Sequence, residues 1–254
     1  MKPKFTLFVF LLSSVEATFL LADEPKVEKS SSVKVSVDLV SSYIWRGSLA
    51  TTSPTPNLQP TLAFIRGNFE VGVWGSTDFI GSSKEVDPYI LLTLNHLKFG
   101  FTDYNWNFTN ATYFDYKNSS TDHRIEGTIG FTGTKAFPVS ISWNTIIYGL
   151  DKKYDDTTKQ AFSTYIEFIY TKGAENFFIG FTPWSGYYNN YGITTFNSER
   201  FRKSFSIVNV GLTVTKEVKI NESFSFPLKA TLAINPSASC SRKDNIHLVV
   251  GLTF

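Results

Sequence analysis

An alternation of apolar and polar residues with a period of two dominates the chain after residue 32. Because successive side chains of a β-strand point to opposite faces, this alternation predicts strands with one apolar face and one polar face. Twelve such stretches follow one another, and no helical pattern separates them. They begin near Val33, Pro60, Phe69, Glu85, Leu97, Arg124, Val139, Phe162, Phe177, Val208, Phe224 and Asn245. The sequence therefore predicts an all-β protein of twelve strands.

The connections between the predicted strands alternate in length. Residues 66–68, 95–96, 133–138, 172–176 and 216–223 form short turns. Residues 47–57, 77–84, 107–122, 149–159, 185–203 and 237–244 form mostly longer and more polar loops. Short turns at one end and long loops at the other are typical of outer-membrane barrels. We therefore expect a transmembrane antiparallel up-and-down β-barrel of 12 strands, with both chain ends on the periplasmic side.

The chain closes on an alternating strand. Its apolar face carries Ile246, Leu248, Val250, Leu252 and Phe254, and its polar face carries Asn245, His247, Gly251 and Thr253. Since an open strand edge is unfavourable in lipid, the last strand of such a barrel must pair with the first. We expect it to pair with the strand that begins at Val33, and Phe254 to be a recognition signal for the outer-membrane barrel assembly machinery.

Alternation alone does not say which face points outward, since a secreted lipocalin-like barrel would hold its apolar face inside. Twelve strands, however, enclose more space than the roughly eight-stranded barrel that side chains fill. The charged strand residues also lie opposite the aliphatic ones, and a Lys or Arg at the lipid midplane costs roughly 2–4 kcal/mol. We therefore expect the apolar face to meet outer-membrane lipids. The lumen-lining candidates are Asp38, Arg46, Glu70, Asp87, Lys98, Glu126, Glu167 and Lys229.

These lumen charges have two interpretations. They pair with one another across the inside of the wall, or they form an electrostatic lining that selects solutes, with a modest acidic excess that favours cations. Glycines on the same face, such as Gly72, Gly100, Gly180 and Gly211, are expected to permit curvature and to leave interior volume empty.

Tryptophans mark one rim of the predicted barrel. Trp45, with Tyr43, is expected to face lipid at the membrane interface, where such rings are favoured. The aromatic mouth candidates, expected to face the lumen, are Trp74, Trp106 and Trp184. They either pack beneath the loops or form an aromatic track that stacks a sugar or another flat solute.

The start of the chain is predicted to be an export signal. Residues 1–22 combine an early positive charge, an apolar run and a small residue before Asp23, which is typical of a cleaved signal peptide. An N-terminal membrane anchor is the alternative, although the apolar run is shorter than the roughly 20 residues that a spanning helix needs. Residues 23–32 are predicted to form a periplasmic lead-in, and residues 33–254 the barrel.

Composition and motifs exclude several other classes of function. The formal net charge of +2 gives no indication of nucleic-acid binding, and the single Cys240 excludes a disulfide framework. No nucleophile or metal-ligand motif is present, so we predict neither an enzyme nor a bound cofactor or metal. An outer-membrane lipid hydrolase that uses a serine and His247 is a remote alternative.

One stretch resembles a known family. Asp38 to Gly47 reads D-L-V-S-S-Y-I-W-R-G, Gln59-Pro60 follows, and Phe69 to Gly75 ends the next hairpin as F-E-V-G-V-W-G. This run is similar to the N-terminal signature of the TorF family, conserved outer-membrane β-barrel proteins with a presumed channel role. The matching residues are Ser41, Tyr43, Arg46, Gly47, Gln59, Gly72 and Trp74, and Asp103-Tyr104 also looks like that family. The resemblance implies an outer-membrane barrel and supplies no catalytic residues.

The sequence therefore favours a channel in a bacterial outer membrane through which small hydrophilic solutes diffuse passively. A non-conducting barrel with a structural or loop-mediated binding role is the alternative.

Overall fold

The computed structural model describes residues 30–51, 53–106, 113–153, 156–184, 205–222, 224–237 and 245–254. The strands are β1 (Ser31–Val40), β2 (Ile44–Trp45), β3 (Ser48–Leu49), β4 (Asn57–Arg66), β5 (Phe69–Asp78), β6 (Lys84–Leu94), β7 (Leu97–Tyr104), β8 (Arg124–Phe131), β9 (Val139–Gly149), β10 (Thr164–Lys172), β11 (Glu175–Trp184), β12 (Ser206–Lys219), β13 (Ser225–Ile234) and β14 (Ile246–Thr253). The described part of the chain has no helix that is long and apolar enough to cross a membrane.

Twelve of these strands form a closed antiparallel barrel, and β2 and β3 form a separate two-stranded sheet. The predicted fold class is therefore confirmed. β14 pairs with β1 through Asp38↔Thr253, Leu39↔Leu252 and Val40↔Gly251. The backbone groups of Val37 and Phe254 exchange two hydrogen bonds of 3.0 Å and extend this seam.

The strand boundaries differ little from those expected. β1 begins at Ser31 and so includes the end of the predicted lead-in. The predicted signal peptide, residues 1–22, lies outside the described residues. Both ends of the barrel chain, Ser31 and Phe254, lie at the end that carries the short turns, because the number of barrel strands is even.

The apolar face of the barrel points outward. Val35 and Leu248 are each 71 % exposed, and most of the predicted apolar face is exposed in the same way. The buried side chains are mainly polar, among them Asn57, Glu85, Asn105, His123 and Glu126. This arrangement is the reverse of a soluble barrel, so the lipocalin-like alternative is wrong.

Four of the inward glycines do not leave empty space beside them, which corrects the expectation at those positions. Large inward side chains lie over them: Tyr89 over Gly72, Leu91 over Gly100, Tyr165 over Gly180 and Phe178 over Gly211. A Cβ added to any of these glycines would lie within 2.0–2.7 Å of the covering side chain. The glycines therefore let neighbouring side chains lie flat against the wall.

Gly180→Ala is expected to destabilise the barrel by about 1–3 kcal/mol, the usual cost of overpacking. The added Cβ would stand 2.0 Å from the hydroxyl oxygen of Tyr165, whose hydroxyl donates to Glu167 at 2.5 Å. Gly127→Ala is the control, since its Cβ would meet only ordinary contacts at 3.6–4.0 Å. Unfolding by guanidinium in lipid vesicles measures both, and equal midpoints would contradict this explanation.

Candidate functional site

The segment after β1 turns into the barrel instead of continuing the strand. β2 and β3 pair through Ile44↔Leu49 and Trp45↔Ser48, and Arg46 and Gly47 form the turn between them. Both turn residues have positive φ, 50° and 76°, as a two-residue hairpin turn of the I′ type requires. The first strand therefore ends at Val40, and its alternating phase, which would place Tyr43 and Trp45 on the lipid face, does not continue into this segment. We call residues 41–50 the lumen hairpin.

Glycine is required at position 47 for a second reason. A Cβ there would lie 2.0 Å from the carbonyl oxygen of Val208. Val208 belongs to the apolar face of its predicted strand and was expected on the lipid side, but it is fully buried. A register shift at Gly180/Phe181 leaves it between Ile207 and Asn209, which are both paired with β11. The hairpin turn thus packs directly on the backbone of β12.

The Arg46 side chain links the lumen hairpin to strands on the far side of the barrel. Its guanidinium donates to both carboxylate oxygens of Glu126 on β8, at 2.7 and 2.8 Å, and lies 4.5 Å from the ring centroid of Tyr165 on β10. In the closed ring β9 is the sixth strand from β1 in either direction, and β8 and β10 flank it. The Arg46 side chain therefore reaches the wall opposite the strand from which the hairpin begins.

The ion pair is shielded from water. The Glu126 side chain is 2 % exposed and that of Arg46 is 15 % exposed. The hydroxyl of Tyr104 donates a further hydrogen bond to Glu126 at 3.0 Å. Bidentate charge-assisted hydrogen bonds are among the strongest in proteins, so this contact is a latch between hairpin and wall.

Aromatic rings surround the latch. Trp45 meets Tyr104 and Trp106 edge to face, with centroids 5.9 and 5.8 Å apart, and the Arg46 guanidinium lies 4.3 Å above Trp45. Tyr104 and Trp106 stack in parallel at 5.3 Å. Trp45 therefore lies inside the lumen, and the prediction that it faces lipid is wrong because the strand had already turned inward.

The other aromatic candidates also belong to this region. Trp74 contacts Tyr43 at 5.5 Å, so Tyr43 too lies inside and not on the lipid face where it was expected. Trp106 lies 4.6 Å beneath the guanidinium of Arg124. Trp184 ends β11 in register with Thr164, and its side chain lies outside the described residues. Trp74 and Trp106 therefore pack against the lumen hairpin and the inner wall, and a role of these rings in stacking a solute stays a prediction.

A cavity of about 800 Å³ lies against the lumen hairpin. Its lining runs from Trp45 and Arg46 to Lys34, Thr132 and Ser140, which lie near the short turns. It therefore extends from the hairpin toward the end of the barrel that carries both chain ends. Of the lumen-lining candidates, it includes Arg46, Asp87, Lys98, Glu126 and Glu167.

The remaining lumen candidates are engaged with neighbours on the inner wall. Asp38 accepts a hydrogen bond from Thr253, with the Lys229 ammonium 3.9 Å away. Glu70 accepts from the Tyr89 hydroxyl at 2.7 Å. A role of these residues with a solute stays a prediction.

The end with the long loops holds a buried polar cluster that the sequence did not indicate. His123 Nδ1 lies 2.8 Å from Asp103 Oδ1, and its ring stacks on Tyr116 with centroids 4.2 Å apart. Asn105 bonds to His123 at 3.0 Å, and its backbone N–H donates to Asp87 at 3.1 Å. Among the described residues, no group of His, Cys, Asp and Glu side chains is arranged to hold a metal ion.

In class, the chain forms a closed twelve-stranded β-barrel of the outer-membrane type, with an apolar exterior and a polar lumen. No protein-family profile and no curated protein matches it. A solved structure from work on the in-meso crystallization of membrane proteins is 11 % identical. The similarity covers 89 % of this chain and 83 % of the other, with a TM-score of 0.36, too low to support a functional assignment.

Proposed function

We propose that the protein is an outer-membrane channel for the passive diffusion of small hydrophilic solutes. The observation that carries this proposal is the combination of an exposed apolar exterior with a polar cavity inside one closed barrel. A barrel with lipid outside and water inside is the arrangement of porins.

The lumen hairpin is the constriction of the proposed channel. It is latched to the opposite wall through Arg46 and Glu126 and packed on β12 through Gly47. A solute that passes it must move beside Trp45, Tyr43 and the latch itself, so it must be small and polar.

The proposed location is a bacterial outer membrane, which the protein would reach with a cleaved signal peptide over residues 1–22. The alternating strand β14, closed on Phe254, is proposed as the segment that the barrel assembly machinery recognises. The resemblance to the TorF family supports the same location and role.

Single-channel recordings in planar bilayers test the proposal. The refolded wild-type protein, checked for folding by its heat-modifiable gel mobility, is expected to give discrete, small and reproducible conductance steps in KCl. Well-folded protein that gives no conductance would contradict the channel proposal.

A specific observation favours a second candidate, a non-conducting barrel with a structural or loop-mediated binding role. The turn of the lumen hairpin packs on β12, and its Arg46 side chain is fixed to β8 by an ion pair shielded from water. In that case the wild type gives no current, and only a variant that releases the latch conducts.

A further inference from the structure

One row of inward residues runs around the barrel wall beneath the lumen hairpin. Register pairs join Lys98 on β7 to Gly130 on β8, Gly130 to Ser142 on β9, and Ser142 to Glu167 on β10. All four residues line the cavity. The row therefore has a cation at one end, an anion at the other, and two small residues between them.

The two charges do not neutralise one another or a neighbour. The ion pairs of the described residues include neither Lys98 nor Glu167. Glu167 accepts hydrogen bonds on Oε1, from the Tyr165 hydroxyl at 2.5 Å and from Asn209 at 3.2 Å. No described group donates to its Oε2, so that oxygen can receive a hydrogen bond from a solute.

The wall between the charges is open and polar. A Cβ added at Gly130 would have as its nearest neighbours the Ile141 carbonyl oxygen at 3.1 Å, the Lys98 Cβ at 3.7 Å and the Ser142 Cα at 3.9 Å, none of them the outer part of a side chain. This glycine therefore differs from Gly72, Gly100, Gly180 and Gly211, which large side chains cover. Thr128 donates to Asn144 at 2.9 Å, and Asn144 donates to Ser142 at 3.1 Å, so hydroxyl and amide groups line the gap.

The length of the row sets the size of a matching solute. Three strand spacings of about 4.8 Å place the Cα atoms of Lys98 and Glu167 about 14 Å apart along the wall. Inward side chains of a curved wall converge, so their charged ends lie closer together than that. An extended tripeptide spans about 10 Å at about 3.3–3.6 Å per residue. The cavity volume of about 800 Å³ is within the usual range for small-molecule sites.

We propose that this row is a binding site for small zwitterions of the amino-acid or short-peptide class. Lys98 binds the carboxylate, Glu167 binds the ammonium group, and the gap at Gly130 and Ser142 holds the body of the molecule. The inference deepens the channel proposal, since it names the class of solute that the lumen accepts. It replaces the expected preference for cations with a preference for molecules that carry both charges.

Triglycine and two singly charged relatives test the site. N-acetyl-triglycine keeps only the carboxylate, and triglycine amide keeps only the ammonium group. In saturation-transfer NMR with the full-length barrel in detergent micelles, triglycine is expected to bind at least about tenfold more tightly than either, because each relative loses one charge-assisted contact.

Three variants locate the binding. Lys98→Met is expected to weaken triglycine and N-acetyl-triglycine and to spare triglycine amide. Glu167→Gln is expected to weaken triglycine and triglycine amide and to spare N-acetyl-triglycine. Lys135→Met, at an exposed turn residue, makes the same change in net charge as Lys98→Met and is expected to leave all three affinities unchanged.

Equal binding of the three probes, or equal losses in Lys98→Met and Lys135→Met, would overturn the site. Bilayer recordings in KCl keep the two proposals distinct. If the three probes bind as expected and the protein gives no current, the binding site is supported and the channel proposal is rejected. If the protein gives current but does not bind triglycine more tightly than its two relatives, the channel proposal is supported and the binding site is rejected.

Discussion

Arg46→Ala opens the lumen and raises the single-channel conductance severalfold. In the closed arrangement this variant leaves the Glu126 carboxylate buried without its cation. Among the described side chains, the Tyr104 hydroxyl is then its remaining hydrogen-bond donor. Removing one partner of a buried ion pair typically costs about 3–5 kcal/mol. A cost of about 3 kcal/mol shifts a closed–open equilibrium by more than about a hundredfold, since each 1.4 kcal/mol is about tenfold. The hairpin can avoid this cost by leaving the wall and letting water reach Glu126.

Two comparisons isolate the latch in planar-bilayer recordings. Lys159→Ala removes an exposed loop ion pair with Asp156 at 2.8 Å and is expected to leave the conductance unchanged. Arg46→Ala combined with Glu126→Gln removes the carboxylate charge that the single variant leaves without a partner. The aromatic contacts then hold the hairpin, so we expect the double variant to open less than the single variant. An Arg46→Ala channel with wild-type conductance would show that the latch does not hold the hairpin.

Ile90→Lys destabilises the protein in lipid by about 2–4 kcal/mol, the cost of a lysine near the bilayer midplane. Ile90 lies near the middle of β6, is 40 % exposed, and stands in register with Val71 and Phe101, which are exposed on the same face. If this face met water, the same substitution would change stability by only about 0.5 kcal/mol. Guanidinium unfolding in phospholipid vesicles, followed by tryptophan fluorescence, measures the difference.

Leu91→Lys is the matched control. Leu91 is the next residue of the same strand, but it lines the cavity, where an ammonium group reaches water. The aliphatic stem of lysine can still cover Gly100 as Leu91 does. We expect a much smaller loss of stability than for Ile90→Lys. Equal losses in the two variants would contradict a lipid-facing exterior.

The contacts of the latch explain which parts of the site were predictable. The inward orientation of Lys98, Glu126 and Glu167 follows from strand parity, which is a local property of each strand. The bond between Arg46 and Glu126 joins residues 80 positions apart, and no local pattern specifies it. Tyr104 and Tyr165 became part of the site only because the hairpin reaches them.

A sequence signal for the hairpin was nevertheless present. Arg46-Gly47 lies between two short apolar-containing pairs, Ile44-Trp45 and Ser48-Leu49, which is the spacing of a two-residue hairpin turn. The alternating phase that starts at Val33 extends to Arg46 with interruptions at Val40, Ser41 and Ile44, and a strand that follows this phase places Tyr43 and Trp45 on lipid. A two-residue turn with Gly at its second position should have outweighed a continued period of two.

The sequence by itself determined the all-β class, the twelve strands, the closure of β14 on β1 and the outward apolar face. These features depend on alternation and on turn length, and both are local properties of the sequence. Only the tertiary structure decided that a hairpin lies inside the lumen, that large side chains cover most inward glycines, and that Lys98 and Glu167 share an open row. Those features depend on which strands lie opposite or beside one another in a closed ring, and that relation exists only once the barrel has formed.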